Sequence, residues 1–493
     1  MFIDARAARL QCLRLAATLL ACLLSTSGSA QSLEWGSGND GASAPTLYQV
    51  VQSAVVHHPA VRRATVGVDA AAASRGAADG AFDLQLRADS TWVPLGYYDQ
   101  LRLEVGATQP LRVAGASLDL EWRRGTGNIP SYYGEYRTLE WGEFSAGLKL
   151  PLLQDRRIDR ARAAIRDADI RVAAAMLNEQ LERLTQARAA ASAWIRWTDA
   201  RQRLVLANAL LSLAEERQRF IESRVASGMT APIDATDNLG VVAQRRAAVA
   251  SALQSAQQAS VSLSLFYRDT NGLPMLPDWD VLPAPPSLPD WAPADTDLAV
   301  SLALSERPDL LLLDNAALQL EIQRLLAVNS RLPTLDAGVG VSQDVGMGPA
   351  DFDESLGPMT ATVQLNFQMP AQQRTARFEA QRVALEADRL VLQRQQLQES
   401  FTAVFQEGTV GWSQLSERFG FVGESVDVAR QLVDAERQRF EAGISTVFQL
   451  NLREAQLAAA IDAQIAAATE AWNLMVNWEH TTGRLDRPEL WTR

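Results

Sequence analysis

The residue types that do chemistry are scarce in this chain, which has three histidines, two cysteines and a single lysine among 493 residues. His57 and His58 stand side by side before Pro59, and His480 lies alone near the end. None has the partner spacing of a zinc site or of a His-Glu-x-x-His motif, so all three read as structural. Lys149 is not preceded by Gly-x-x-x-x-Gly-Lys, so no phosphate-cradling loop and no ATP site is encoded. Gly338-Val339-Gly340-Val341-Ser342 is glycine-rich, but a strand follows it where a dinucleotide site needs a helix. Asp351, Asp353 and Glu354 fall in a loop, where solvated acids are ordinary and calcium is the alternative ligand. These residues assemble no catalytic site and call for no metal or cofactor.

The cysteines, Cys12 and Cys22, both lie in the first thirty residues. There Arg6, Arg9 and Arg14 precede an apolar run from Leu15 to Leu24, and small residues follow up to Ala30. A basic start, an apolar middle and a small-residue end make a secretory signal peptide over 1–30. Cys22 admits a second reading, as a lipid-attachment site. After residue 30 no apolar run reaches the roughly 20 residues of a spanning helix. An exported chain without one is periplasmic, secreted or an outer-membrane barrel. A formal charge of −12 argues against a nucleic-acid partner, which requires a basic face.

The elements that position these residues occur twice. Pro59 in His57-His58-Pro59-Ala60-Val61 corresponds to Pro308 in Glu306-Arg307-Pro308-Asp309-Leu310, an offset of 249. From about Ser145 the offset is 215, so that Arg224-Val225-Ala226-Ser227-Gly228 meets Arg439-Phe440-Glu441-Ala442-Gly443. An alternative register, five residues away, superposes Glu216–Phe220 on the identical Glu436–Phe440. The first register keeps strands, helix and glycine together. It divides the chain into a first repeat at 31–270, a linker at 271–297, a second repeat at 298–486 and a tail at 487–493. Seven prolines from Pro274 to Pro293 exclude a continued helix or a central strand from the linker.

Each repeat reads as a helix (46–80, then 298–330), two strands, a very long helix, a glycine turn and a shorter helix. In the second repeat Ala361, Val363, Leu365, Phe367 and Met369 alternate with Thr362, Gln364, Asn366 and Gln368. Period-two alternation with uncharged polar partners fits a barrel strand, lipid outside and water inside, or a half-buried strand of a soluble sheet. Ala146, Leu148, Leu150 and Leu152 repeat it around Lys149, and the signal peptide favours the membrane reading. Between 156 and 227 there is neither proline nor glycine. Ile170, Ala174, Leu177, Leu181, Leu184, Arg188, Ala191 and Ile195 follow steps of four and three, the seam of helices packed side by side. About 70 residues at ~1.5 Å each give a rod of about 105 Å.

The offset falls by 34, so the first repeat has that many extra residues between about 93 and 144. They hold five of the seven tyrosines, and Leu101–Val105 and Ser117–Trp122 read as an additional hairpin. The aromatics suit a membrane–water boundary or a tyrosine-rich surface loop.

A signal peptide, a duplicated helix–strand–strand–long helix–shorter helix unit, Glu306-Arg307-Pro308-Asp309-Leu310 and the two glycine turns together resemble the TolC family of outer-membrane efflux proteins. The resemblance implies an α+β membrane protein: a coiled-coil barrel of long helices, continuous with a transmembrane β-barrel shared by a homotrimer. Each chain would supply four strands to a barrel of twelve. Gly228, Met229, Gly443 and Ile444 would be periplasmic tips where an adaptor (membrane fusion) protein docks. Asp234 stands where the first repeat's gate acid is expected. Gln449 and Leu452 replace two further expected acids, and Phe440 an expected tyrosine, so a gate here would close with fewer charges. Lys149, Thr362, Gln364, Asn366 and Gln368 would face the lumen.

The expected function is a passive exit duct in the outer membrane, with a long periplasmic extension. It would end a tripartite efflux pump or type I secretion system energised by an inner-membrane pump of RND or ABC type. The acidic balance suggests cation preference. The rival reading is a periplasmic coiled-coil scaffold or adaptor that never enters the outer-membrane lipid.

Overall fold

The computed structural model describes residues 44–128, 137–347 and 359–487. The signal segment with Cys12 and Cys22, the acids Asp351, Asp353 and Glu354, and Tyr132, Tyr133 and Tyr136 lie outside them. Among the described residues the helices are α1 (Leu47–His57), α2 (Pro59–Asp79), α3 (Arg160–Ala226), α4 (Pro232–Ser264), α5 (Thr296–Glu306), α6 (Pro308–Asn329), α7 (Arg374–Glu441) and α8 (Val447–Thr482). The strands are β1 (Gln85–Val93), β2 (Gln100–Pro110), β3 (Ser117–Gly127), β4 (Glu143–Pro151), β5 (Thr334–Asp344) and β6 (Thr360–Gln368). Elements α5, α6 and β5 begin 249 residues after α1, α2 and β1, and α8 begins 215 residues after α4. The chain repeats itself in that register and not in the one five residues away.

Two expectations are corrected. The helices expected at 46–80 and 298–330 are each broken in two, because the residue before a proline is pushed out of the helical region. His58 (ψ 133°) and Arg307 (ψ 120°) are both extended, and the proline opens the next helix. The strand count is the second correction: six strands form one antiparallel sheet in the order β1-β2-β3-β4-β5-β6, where the resemblance implied four. The extra residues are the hairpin expected from Leu101–Val105 and Ser117–Trp122, here β2 and β3. The sheet of one chain is open, with β1 and β6 as its edges.

At 67 and 68 residues, α3 and α7 are each about 100 Å long. Asp159 caps α3 by accepting a hydrogen bond from the Arg162 N–H at 2.8 Å, and Thr446 caps α8 in the same way from Gln449 at 3.3 Å. Near the sheet the helices form a row, α2 beside α3, α3 beside α6 and α6 beside α7. Lower down, α4 and α8 flank α3, and α8 packs on α7. The largest core lies mid-length, where Ala187, Ala190, Ala191 and Ala193 let helices approach closely around Trp197, Val50 and Val476. The proline-rich segment crosses the bundle there as a strap. Arg201 donates to the Trp279 carbonyl at 2.6 Å and stacks on its ring, and Trp291 donates to Glu479 at 2.7 Å.

No helix among the described residues is long and apolar enough to cross a membrane.

Candidate functional site

The strand register fixes which side chains share a face. One row across all six strands runs Leu86, Ala107, Leu120, Ala146, Val341, Ala361. The next residue along each strand gives Arg87, Gly106, Glu121, Ser145, Ser342, Thr360. One face of the sheet is therefore apolar and the other polar from edge to edge. In a water-soluble protein the apolar face would be covered. Here it is open: Val363 is 79% exposed, with Leu365, Phe367, Phe144 and Leu120 also exposed, and the polar face is open behind it at Arg87, Lys149 and Gln364. An open apolar face backed by an open polar one is what a wall between lipid and water requires.

Lys149, Thr362, Gln364, Asn366 and Gln368 all lie on the polar face, with the Lys149 ammonium 3.0 Å from Asp336. Sequence reasoning missed how charged the rest of that face is. Arg87 reaches Glu121 at 3.0 Å across Gly106, Arg123 pairs with Glu143, and Thr108 donates to Asp119 at 2.7 Å. The signal was the alternation in Leu101-Arg102-Leu103-Glu104-Val105, read as a hairpin but not carried through to the face it paves.

At the far end of the bundle the two glycine turns have the same geometry. Gly228 (φ +72°) and Gly443 (φ +77°) sit in the left-handed region, which glycine enters without steric cost. In each turn the glycine N–H donates to the carbonyl three residues back (Val225, Phe440; both 3.0 Å). The next residue donates five back (Met229 to Arg224 and Ile444 to Arg439, both 2.9 Å). These paired bonds satisfy the last carbonyls of α3 and α7. A side-chain carbon added at Gly228 would meet nothing within 4 Å, so the site is open. Met229, Ile444, Ile233 and Phe448 are exposed around it.

The expected gate residues do not form one cluster within a chain. Asp234 is in the first turn of α4, and Gln449 and Leu452 are exposed on α8. Phe440 is turned inward instead, packing with Ile221, Val447 and Leu450 and against the Phe220 ring at 5.7 Å. Above it lies a buried polar knot that the sequence did not reveal. Arg217 donates to Glu454 and to Asn238, both at 2.7 Å, and Asn238 donates to Gln218 at 2.8 Å and to the Ala214 carbonyl at 3.1 Å. It ties α3, α4 and α8 together just above the tips.

Glu306-Arg307-Pro308-Asp309-Leu310 is also structural. The buried Arg307 guanidinium holds both oxygens of Asp309 (3.0 and 2.7 Å), donates to the His480 carbonyl at 2.6 Å and stacks on Phe401. It thus binds the last turn of α8, where a cation suits the helix dipole. Burial first, then Arg307, lowers the His480 pKa to about 4. Glu306 is held below the usual carboxylate range by its hydrogen bond from Arg484, helped by Arg487. His58 accepts from the Ala60 N–H at 3.3 Å and stacks on Phe266, and burial lowers its pKa. Among the described residues no group of three or more His, Cys, Asp or Glu is placed to hold a metal ion.

Solved structures share this fold. The outer-membrane channel OprN superposes with a TM-score of 0.63 over 89% of this chain and 90% of its own, at 17% sequence identity. The fold is that of the TolC-like outer-membrane channels. VceC, an outer membrane protein of Vibrio cholerae, gives a TM-score of 0.63 at 16% identity, over 89% of this chain and 96% of its own. The CmeC outer membrane channel of Campylobacter jejuni gives 0.62 at 12% identity, over 92% and 90%. No protein-family model and no curated protein matches the sequence. At these identities the likeness establishes the fold, and function has to be argued from the surfaces.

Proposed function

We propose that this protein is an outer-membrane channel, the passive exit duct of a tripartite efflux pump. The observation that carries this reading is the sheet, which exposes a largely apolar face and gathers all its strand charges but Arg124 on the other side. Such a face suits outer-membrane lipid, and the helices below it are long enough to cross much of a periplasm. The two open edges, β1 and β6, need partners, and so does the outer flank of α7. There Phe378, Leu385 and Leu392, and lower down Phe421 and Val428, expose apolar side chains at heptad spacing. Copies of the same chain supply both, and the resemblance makes the number three. The trimer closes a β-barrel above and a helical barrel below, which is the second half of the expected architecture.

Gly228, Met229, Gly443 and Ile444 are the surface that meets the adaptor protein, which links the duct to an inner-membrane pump of RND or ABC type. Type I secretion fits the same parts. Asp234, Gln449 and Leu452 line the periplasmic mouth, while Phe440 acts from behind them by fixing the two tips together. On the polar face of the strands seven acids stand against four bases, which favours cations in the lumen. The chain does no catalysis and needs no cofactor.

Replacing Gly228 or Gly443 with tryptophan tests the docking role. A β-carbon is strained at these φ values, and the indole occupies the approach path. Export should fall at least tenfold while the trimer and its outer-membrane level stay unchanged. Normal export by both variants would remove the tips from the adaptor interface.

A further inference from the structure

The hairpin β2–β3 is the one part of the strand region that the duplication does not account for. We propose that it widens the pore: three chains close a wall of eighteen strands, whose girth matches the ring of helices beneath it. This rests on the trimeric channel proposed above.

The hairpin is built into the sheet and not laid over it. β2 pairs with β1 along nine residues, β3 pairs with β4 along seven, and both rows described above pass through it without a break in register. Leu101, Leu103 and Val105 continue the apolar face, joined by Leu118, Leu120 and Trp122. Its lower turn is also fastened where the helices begin. Arg112 donates to Asp79 at 2.7 Å and lies over the Phe82 ring, and Gln109 donates to the Phe82 carbonyl at 2.7 Å. Gly115 (φ +68°) passes so close to the start of α3 that a β-carbon would sit 2.5 Å from the Asp155 carbonyl. A hairpin that only decorated the surface would need neither the seat nor the alternating faces.

The widths agree. Six strands ~4.8 Å apart and tilted by about 40° span an arc of roughly 38 Å per chain. The four helices at that level, α2, α3, α6 and α7, span roughly 32–40 Å at 8–10 Å spacing. Four strands would span only about 25 Å and force the wall to taper. For three chains the backbone diameter becomes about 36 Å instead of about 24 Å, and the lumen cross-section about doubles. The β-barrel then admits cargo as wide as the helical barrel can deliver, and size selection falls to the periplasmic mouth alone.

The test is a distance between equivalent positions in the assembled protein. Gln364→Cys, in a Cys12→Ser and Cys22→Ser background, carries a spin label on the lumen face. The purified full chain, reconstituted in lipid nanodiscs, is measured by double electron–electron resonance, with native mass spectrometry on the same sample. Equivalent backbone positions should lie about 31 Å apart for eighteen strands and about 21 Å for twelve. Deleting residues 94–127, the 34 by which the offset falls, should bring the labels about 10 Å closer. A trimer with a full-chain distance near 21 Å, or one unmoved by the deletion, would overturn the wider wall and leave the channel standing. A sample that contains no trimer would remove the channel reading itself.

Discussion

Arg217 is worth more to the tips than a surface arginine is worth to a helix. Its side chain and that of Glu454 are 4% and 6% exposed, and the pair bridges α3 to α8 across 237 positions of sequence. Arg217→Met keeps a long apolar stem but leaves the Glu454 carboxylate and the Asn238 amide oxygen buried without their donor. Removing one member of a buried pair costs about 3–5 kcal/mol, most of it the isolated charge. The penalty falls on local opening of the tips, since the core around Trp197 is remote along the helix. Hydrogen exchange read peptide by peptide is therefore the right assay. An opening cheaper by ~3 kcal/mol raises exchange over 214–240 and 447–456 by roughly a hundredfold, with the mid-length core unchanged. Arg217→Met with Glu454→Leu removes both charges and should recover most of the protection. Wild-type exchange in the single variant, or a double variant as labile as the single, would refute the assignment of tip stability to this pair.

Two further outcomes follow from the same structure. His480 is neutral when folded down to pH about 4 but takes a proton near pH 6.5 when unfolded, so its contribution is complete above pH 6.5 and is lost as pH falls toward 4. Resistance to unfolding should decline across that window by up to about 3 kcal/mol, and His480→Gln should flatten the decline in thermal melts between pH 4.5 and 7.5. On the sheet, Leu365→Arg puts a charge on the lipid side at a cost of ~2–4 kcal/mol and should lower the trimer recovered from outer membranes. Its neighbour Gln364→Arg points into water and should assemble normally, and equal recovery of the two would contradict the assignment of faces.

Much of this was legible because its physics is local. Alternation along 361–369 fixes a face, an absence of proline and glycine over seventy residues permits a rod, and Gly228 and Gly443 mark reversals because few other residues enter that backbone region. The breaks at His58 and Arg307 were equally legible from the prolines that follow. The six-stranded sheet was not, because two strands of the hairpin look like an insertion until their register with β1 and β4 is known. Nor was the Arg217–Asn238–Glu454 knot, since a charge on a long helix looks solvated until a second helix covers it. The proline-rich segment read as a connector, and only the contacts of Trp279 and Trp291 make it a strap.

An outer-membrane channel built from this chain would hold three copies threaded into the outer membrane. Outer membranes should be extracted in mild detergent and the assembly weighed by native mass spectrometry, alongside the soluble periplasmic fraction. The expected result is a single species of three processed chains, confined to the membrane extract. A monomer or dimer recovered only from the soluble fraction would contradict it and make the protein a periplasmic coiled-coil scaffold.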